Sequence, residues 1–503
     1  MIDATPLLRL YTRRRLAALA EQDAAAAQRA QLRALLRRAA ETRFGRAHGF
    51  AVLRDVGDYQ RAVPICRYEE FWRDWWQPAF PHVRNQTWPG RIPYFALSSG
   101  TTGANTKRIP VSRAMARANR RAALDVLCWH LAAHPESRVF AGRNFMLGGS
   151  TLLGRPAPGV AEGDLSGIAA LTIPRWARAR SWPPNDIALL GDWERKLALM
   201  AERTPRAEIT SLSGTPSWVL LFLDMLADRH PGLPRRLSAL FPNLELLVHG
   251  GVGFAPYADR YAAWMEGSRV RLREVYPASE GFVAVADRGS GEGLRLILDN
   301  GLFYEFVRPG ELESANPDRR WIANAEVGIE YALLVSSNAG LWSYVLGDTV
   351  RLIARDPPRV LVTGRTAWTL SVFGEHLIGA ELDDAVSHAA RALGAQVSEY
   401  AAGAVFPDPQ SGRGGHLFIM EYVGDADPRR MAELIDQRLC ALNADYAAHR
   451  QGGFGMLAPA VQRSPPGSFT AWMRGRNRLG GQNKVPRVID DPALLASLAS
   501  YAR

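Results

Sequence analysis

Ten consecutive residues, Ser98-Ser99-Gly100-Thr101-Thr102-Gly103-Ala104-Asn105-Thr106-Lys107, carry the components of a phosphate cradle. Glycines let the backbone bend and bring its N–H groups close to an anion. Ser and Thr hydroxyls add donors, and the terminal lysine adds positive charge. The run follows the apolar stretch Tyr94-Phe95-Ala96-Leu97 and precedes helical spacing from near Ser112, so it reads as a strand, a turn and then a helix. The Walker pattern G-x-x-x-x-G-K-[ST] is absent because position 105 is Asn. The loop therefore points to a nucleotide, but not to a P-loop NTPase.

Four further segments carry chemistry. Tyr276-Pro277-Ala278-Ser279-Glu280-Gly281 follows Leu272-Arg273-Glu274-Val275. A hydroxyl beside a carboxylate at a strand end can hold a phosphate oxygen and a magnesium ion together. Tyr344-Val345-Leu346-Gly347-Asp348 ends in a carboxylate able to accept both hydroxyls of a ribose. Gly364-Arg365 could stand beside that ribose or the phosphate. Gly480-Gly481-Gln482-Asn483-Lys484-Val485-Pro486-Arg487 is a glycine turn that presents one lysine. Taken singly, each is an ordinary turn; their order and spacing are specific.

In that order the chain resembles the acyl-acid amido synthetases, the family of plant enzymes that join auxin, jasmonate or benzoates to amino acids, within the adenylate-forming superfamily. The resemblance also runs through Thr42-Arg43-Phe44-Gly45-Arg46-Ala47-His48-Gly49-Phe50, Val63-Pro64 with Tyr68-Glu69, and Gly214-Thr215-Pro216-Ser217-Trp218. It continues through Phe303-Tyr304-Glu305-Phe306 and Asn338-Ala339-Gly340-Leu341-Trp342 to Gly347-Asp348 and Lys484. It implies an α/β fold with a large N-terminal adenylation domain of mixed sheets and flanking helices, residues 1–366, and a small mobile C-terminal α/β lid, 367–503. It implies ATP and Mg²⁺ as cofactors, and a carboxylic acid and an amine or amino acid as partners. The acid is joined to AMP, and the amine then displaces AMP to form an amide.

The resemblance also assigns roles. Ser98, Ser99, Thr101, Thr102 and Lys107 meet the ATP phosphates, with Gly100 and Gly103 shaping the loop. Gly250 and Gly251 flank adenine, Tyr276 stacks near the base, Ser279 meets phosphate and Glu280 holds Mg²⁺. Asp348 binds ribose, and Lys484, delivered by the C-terminal domain, stabilises the phosphorus centre during adenylation. Two positions depart from the family pattern. Val345 stands where Arg is usual, and Gly374-Glu375-His376 replaces Gly-Glu-Lys. Each replacement removes a positive charge near the expected phosphate site.

These residues need elements to position them. The 503 residues fit two or three domains, and 47% hydrophobic with 22% charged residues is ordinary for a globular protein. The pattern predicts a helix over 6–42 with Gly45 as C-cap, and helices over 111–133, 215–228, 375–394 and 427–443. Strands are expected over 244–251, 294–307, 329–337, 360–363, 400–406 and 416–423, with 140–182 irregular. The aromatic stripe Tyr68, Phe71, Trp72, Trp75, Trp76 reads as core. Thr366-Ala367 is a small-residue pivot candidate for the C-terminal domain.

The net charge of +11 is spread without a block, which argues against nucleic acid and suits anionic small molecules. Cys66, Cys128 and Cys440 form no C-x-x-C, and that usage fits a reducing cytoplasm. Neither a signal peptide nor a membrane span is expected. His130 and His134 lack an intervening general base, and no G-x-S-x-G elbow or G-x-G-x-x-G turn appears. Two alternatives stay open: a ligase passing the acyl group to a thiol of coenzyme A or a carrier protein, and a degenerate nucleotide-binding protein.

Overall fold

In the computed structural model of the chain, the first apolar-periodic run is not one helix but two, Thr5–Ala20 and Ala24–Ala39. Asp23 divides them, because its carboxylate accepts the Ala26 N–H and starts a new helix there. Gly45 is not a C-cap. It lies inside the short helix Arg43–Ala47, where a Cβ would stand 2.1 Å from the Ala39 carbonyl oxygen. The structure describes residues 2–502 except 99–106, 149–152, 189, 191–192, 252–253, 255–256, 290, 367–376, 378, 409–412, 444–445, 448–449, 451–455, 477, 479–483 and 490.

The strands run in chain order as β1 (Tyr94–Ser98), β2 (Lys107–Val111), β3 (Arg143–Leu147), β4 (Gly154–Ala157), β5 (Val160–Gly163) and β6 (Ser181–Trp182). Then come β7 (Ile209–Gly214), β8 (Leu246–Gly250), β9 (Arg271–Ala278), β10 (Gly281–Val285), β11 (Leu294–Leu296) and β12 (Leu302–Val307). The last are β13 (Arg320–Trp321), β14 (Glu330–Ser337), β15 (Tyr344–Arg355), β16 (Pro358–Arg365), β17 (Gln396–Asp408), β18 (Arg413–Val423) and β19 (Ala460–Ser464). The stretch 140–182, expected to be irregular, holds β3 to β6 and the helix Leu165–Thr172, with Phe145 fully buried. Its strands are two to five residues long, too short to show a period of their own, and their partners lie far away in sequence.

Three sheets result. The first has the order β2-β1-β5-β4. The second has twelve strands in the order β13-β12-β14-β15-β16-β11-β10-β9-β8-β7-β3-β6. Within it β6, β3, β7, β8 and β9 are mutually parallel, and β9 turns back into the antiparallel β10. Parallel neighbours need crossover connections, and the helix Pro216–Arg229 supplies the one between β7 and β8. The third sheet is β17-β18-β19.

The chain gathers into two compact units, Met1–Gly251 with Gly267–Leu361, and Val252–Glu266 with Val362–Arg503. The crossover from β8 to β9, with its helix Ala258–Met265, thus belongs to the second unit. The core of the first holds the aromatic stripe: Tyr68, Phe71 and Trp76 are buried, with Trp72 and Trp75 packed against them. In the second, side chains alternate across the sheet as the pleat requires. Tyr400, Ala402, Phe418 and Met420 join the core with Leu382 and Ile435 of the two long helices. Ala401 and Ile419 join a separate one with Phe469, Trp472 and Leu495. Among the described residues no helix is long and apolar enough to cross a membrane.

Candidate active site

Ser98 ends β1 and stands opposite Lys107, the first residue of β2, in an antiparallel pair. The hydroxyl- and glycine-rich segment therefore joins two antiparallel neighbours. The expected strand-turn-helix order is corrected: β2 intervenes, and the helix Arg113–Ala133 begins only after Ser112, whose hydroxyl accepts the Ala114 and Met115 N–H groups. Ser99, Gly100, Thr101, Thr102 and Gly103 lie outside the described residues. The base of the segment is gripped by Tyr68, a residue read from sequence as core alone. Its hydroxyl accepts the Arg108 N–H at 2.8 Å, and the Lys107 ammonium lies 5.6 Å from its ring centroid. Its place in the sequence beside Glu69 gave no sign of this second task.

The other expected residues of the first unit meet at the carboxyl ends of the parallel strands, the edge where α/β sheets bind ligands. Gly214 ends β7, Gly250 ends β8, and Tyr276 to Glu280 finish β9 and turn into β10. Gly250 pairs with Val275, and a Cβ there would stand 2.1 Å from the Val275 carbonyl oxygen, so only glycine fits. Gly251 follows at the exposed exit of the strand. Ser279 and Glu280 are both buried within the tight β9–β10 turn. One residue back from Gly250, burial holds the His249 imidazole down at about 4, and burial raises the Glu274 carboxyl opposite it in register.

Asp348 reaches this edge through a bulge. Val345 pairs with Leu334 and Thr349 with Ala332, so residues 346–348 oppose a single residue of β14. Gly347 in the bulge has φ of 92°, a backbone conformation that a side chain resists. Bulges of this kind re-aim a side chain beside active sites. Here the re-aimed carboxylate of Asp348 accepts the Tyr276 hydroxyl at 2.5 Å, and both residues are buried.

Arg365 closes β16, and Lys484 is exposed; both belong to the second unit. Gly374, Glu375 and His376 lie outside the described residues. His130, set aside as a metal ligand, is buried and bonds Ser137 Oγ through Nε2 at 3.0 Å. The Ser137 hydroxyl donates to Glu245, so His130 Nε2 carries the proton.

Comparison with known proteins adds to this geometry. The GH3 family N-terminal domain matches residues 14–151, the central domain 295–365 and the C-terminal domain 380–493. A probable indole-3-acetic acid-amido synthetase GH3.9 of Oryza sativa subsp. japonica is 29% identical over 289 residues, 52% of this chain and 64% of the relative. The indole-3-acetic acid-amido synthetase GH3.3 of Arabidopsis thaliana is 22% identical over 281 residues, 52% of this chain and 47% of that protein. The chain thus spans about half to two thirds of the length of these curated relatives. The solved AtGH3.15 acyl acid amido synthetase in complex with 2,4-DB superposes with a TM-score of 0.80 at 18% identity, covering 97% of this chain and 96% of that one. A 2-hydroxyisobutyryl-CoA ligase in the postadenylation state with 2-HIB-AMP superposes with a TM-score of 0.62 at 15% identity, covering 95% and 92%. The fold class expected from the sequence is therefore the observed one.

Proposed function

Because the chain belongs to the GH3 family, matched in its N-terminal, central and C-terminal domains, we propose that it is an ATP-dependent ligase that adenylates a carboxylic acid and passes the acyl group to an amine or amino acid. The observation that carries this reading is the convergence of Tyr276 and Asp348 at the carboxyl edge of the parallel strands, one turn from Ser279 and Glu280. A carboxylate aimed there by a bulge is placed to take the vicinal hydroxyls of a ribose. The Tyr276 hydroxyl, already donated to that carboxylate, fixes its orientation, and in this reading Gly250 and Gly251 flank the base.

In the first step the acid's carboxylate attacks the α-phosphorus of ATP and pyrophosphate departs. Ser98, Lys107 and the segment between them hold the phosphates, and the Lys484 ammonium offsets charge that develops at phosphorus. Among the described residues no group of three His, Cys, Asp or Glu side chains converges as a metal cage. Glu280 fits a different arrangement, a Mg²⁺ held chiefly by nucleotide phosphates with one or two protein carboxylates. Bound there, Mg²⁺ would neutralise phosphate charge. In the second step an amine attacks the acyl carbon and AMP leaves with the C–O bond electrons, forming the amide. In this reading Arg365 contacts the ribose or the phosphate.

The test is acid-dependent exchange of pyrophosphate into ATP, beginning with indole-3-acetate and 2,4-DB, the acids named with the relatives. If no acid supports exchange, the ligase reading falls in favour of a degenerate nucleotide-binding protein. Product mass after adding amino acids or coenzyme A then separates amide from thioester formation.

A further inference from the structure

Lys484 is the last residue before a stretch that is fastened to the second unit at Val485, Arg487, Val488 and Ile489. Val485 packs against the core of Phe469, Trp472 and Ile489. Val488 forms a parallel bridge with Ala402 of β17, through Ala402 N–H to the Arg487 carbonyl and Ile489 N–H to the Ala402 carbonyl, each at 2.8 Å. Between them the Arg487 side chain keeps only 12% of its exposure and uses all three guanidinium nitrogens. Nη1 donates to Glu399 and, at 2.9 Å, to the Tyr400 carbonyl; Nη2 donates to the Tyr257 hydroxyl at 2.9 Å; Nε lies 3.3 Å from Asp383 Oδ1. The guanidinium also sits 4.4 Å from the Tyr400 ring centroid, and Tyr400 donates to Asp383 at 2.6 Å.

We propose that Arg487 is the positioning residue for Lys484: its fixed fork of donors sets the register of the chain three residues after the lysine, and so the place from which the ammonium reaches phosphorus. The inference rests on the ligase reading of Lys484. The architecture favours positioning over bulk stabilisation. Two hydrogen bonds of the bridge alone would let the segment slip along β17, and a one-residue slip in a strand turns each side chain to the opposite face. Arg487 forbids the slip, because its partners come from three separate places: Tyr257 in the 252–266 stretch, Asp383 on the helix Gly379–Ala392, and Glu399 on β17. A lysine in its place would be a single rotatable point charge and could not hold them together.

Two variants test this, Arg487→Lys, which keeps the charge and loses the fork, and Tyr257→Phe, which removes one hydrogen bond and little volume. Hydrogen exchange read by mass spectrometry should accelerate about ten-fold or more in peptides covering 484–489 and Ala402 in Arg487→Lys, with β18 and β19 unchanged. With the best acid for the unaltered protein, kcat for pyrophosphate exchange should fall roughly 10²-fold in Arg487→Lys and several-fold in Tyr257→Phe, while KM for ATP stays put. Aminolysis of pre-made acyl adenylate should change less than about three-fold. Equal loss in both half-reactions, unchanged exchange over 484–489, or faster exchange throughout the unit would each overturn the assignment. Absence of pyrophosphate exchange in the unaltered protein overturns the ligase reading instead, and hydrogen exchange then decides the register role alone.

Discussion

Tyr276 and Asp348 share a 2.5 Å hydrogen bond although three strands, β10, β11 and β16, separate their own in the sheet. In a flat sheet four strand spacings would hold them roughly 19 Å apart. The sheet therefore curls back between β9 and β15, and the shared core of Tyr276, Val283, Leu294, Leu302 and Tyr344 fills the inside of the curl. The nucleotide edge of the parallel block and the bulge of an antiparallel strand become one site by that curvature.

Removing the carboxylate should uncouple ribose binding from the rest. Asp348→Ala is expected to weaken ATP binding by a few kcal/mol, since hydrogen bonds to a charged group are worth about 1.5–3 kcal/mol each. Tyr276→Phe, which leaves the carboxylate in place but unoriented, should lose less. Titration calorimetry decides, and an unchanged affinity in folded Asp348→Ala would make that residue a structural partner of Tyr276 and nothing more.

Lys484→Ala addresses the other unit. Adenylation should slow by roughly 10²–10³, the scale for losing one charge contact made in the transition state. Aminolysis of pre-made acyl adenylate should be nearly normal. Quench-flow measurement of each half-reaction is the check, and comparable losses in both would remove Lys484 from the adenylation step.

At Gly250 the expectation concerns packing. With the Val275 carbonyl oxygen 2.1 Å from where a Cβ at position 250 would stand, Gly250→Ala must push β8 and β9 apart. Overpacking of this kind costs about 1–3 kcal/mol. A lower denaturant midpoint with reduced ATP affinity is the expected pair of results; a midpoint equal to the unaltered protein's would show that the strand ends separate freely.

His249 predicts acid sensitivity. Burial holds its folded pKa at about 4, below the ordinary 6.5. As pH falls below 6.5 the unfolded chain takes up a proton that the folded chain refuses until about 4, so stability is lost across that window. The loss is on the order of 3 kcal/mol, at about 1.4 kcal/mol per unit of pKa difference. His249→Gln should flatten the dependence between pH 6.5 and 4 relative to the unaltered protein. Parallel curves from urea melts across that range would place the acid sensitivity elsewhere.

Two strand ends were legible from their local sequence: Gly250 follows the apolar run Leu246-Leu247-Val248, and the segment Tyr276 to Glu280 follows Leu272-Arg273-Glu274-Val275. The pairing of Ser98 with Lys107 was not. Strand β2 is Lys107-Arg108-Ile109-Pro110-Val111, which shows no alternation, and it carries a proline that only an edge strand tolerates; β2 is at an edge. Asp348 was legible as a carboxylate after a glycine, but its meeting with Tyr276 depends on the curl of a twelve-stranded sheet, which leaves no local mark. Arg487 looked like the tail of a lysine turn, since none of its acidic and phenolic partners is near it in sequence.

The stretch from 252 to 266 has a bearing on inheritance. Tyr257 reaches Arg487 from 230 residues upstream, out of the crossover between β8 and β9. The smaller unit is therefore not a contiguous length of gene. A fragment begun at Val362 would carry Arg487, Glu399 and Asp383 without the tyrosine that completes their set. A recombinant that borrowed its C-terminal third from a relative at a single junction would join one ancestor's arginine to another's phenol. Exchange that preserves function must move two separate pieces of coding sequence together, and lineages that shuffle only the tail are expected to be rare.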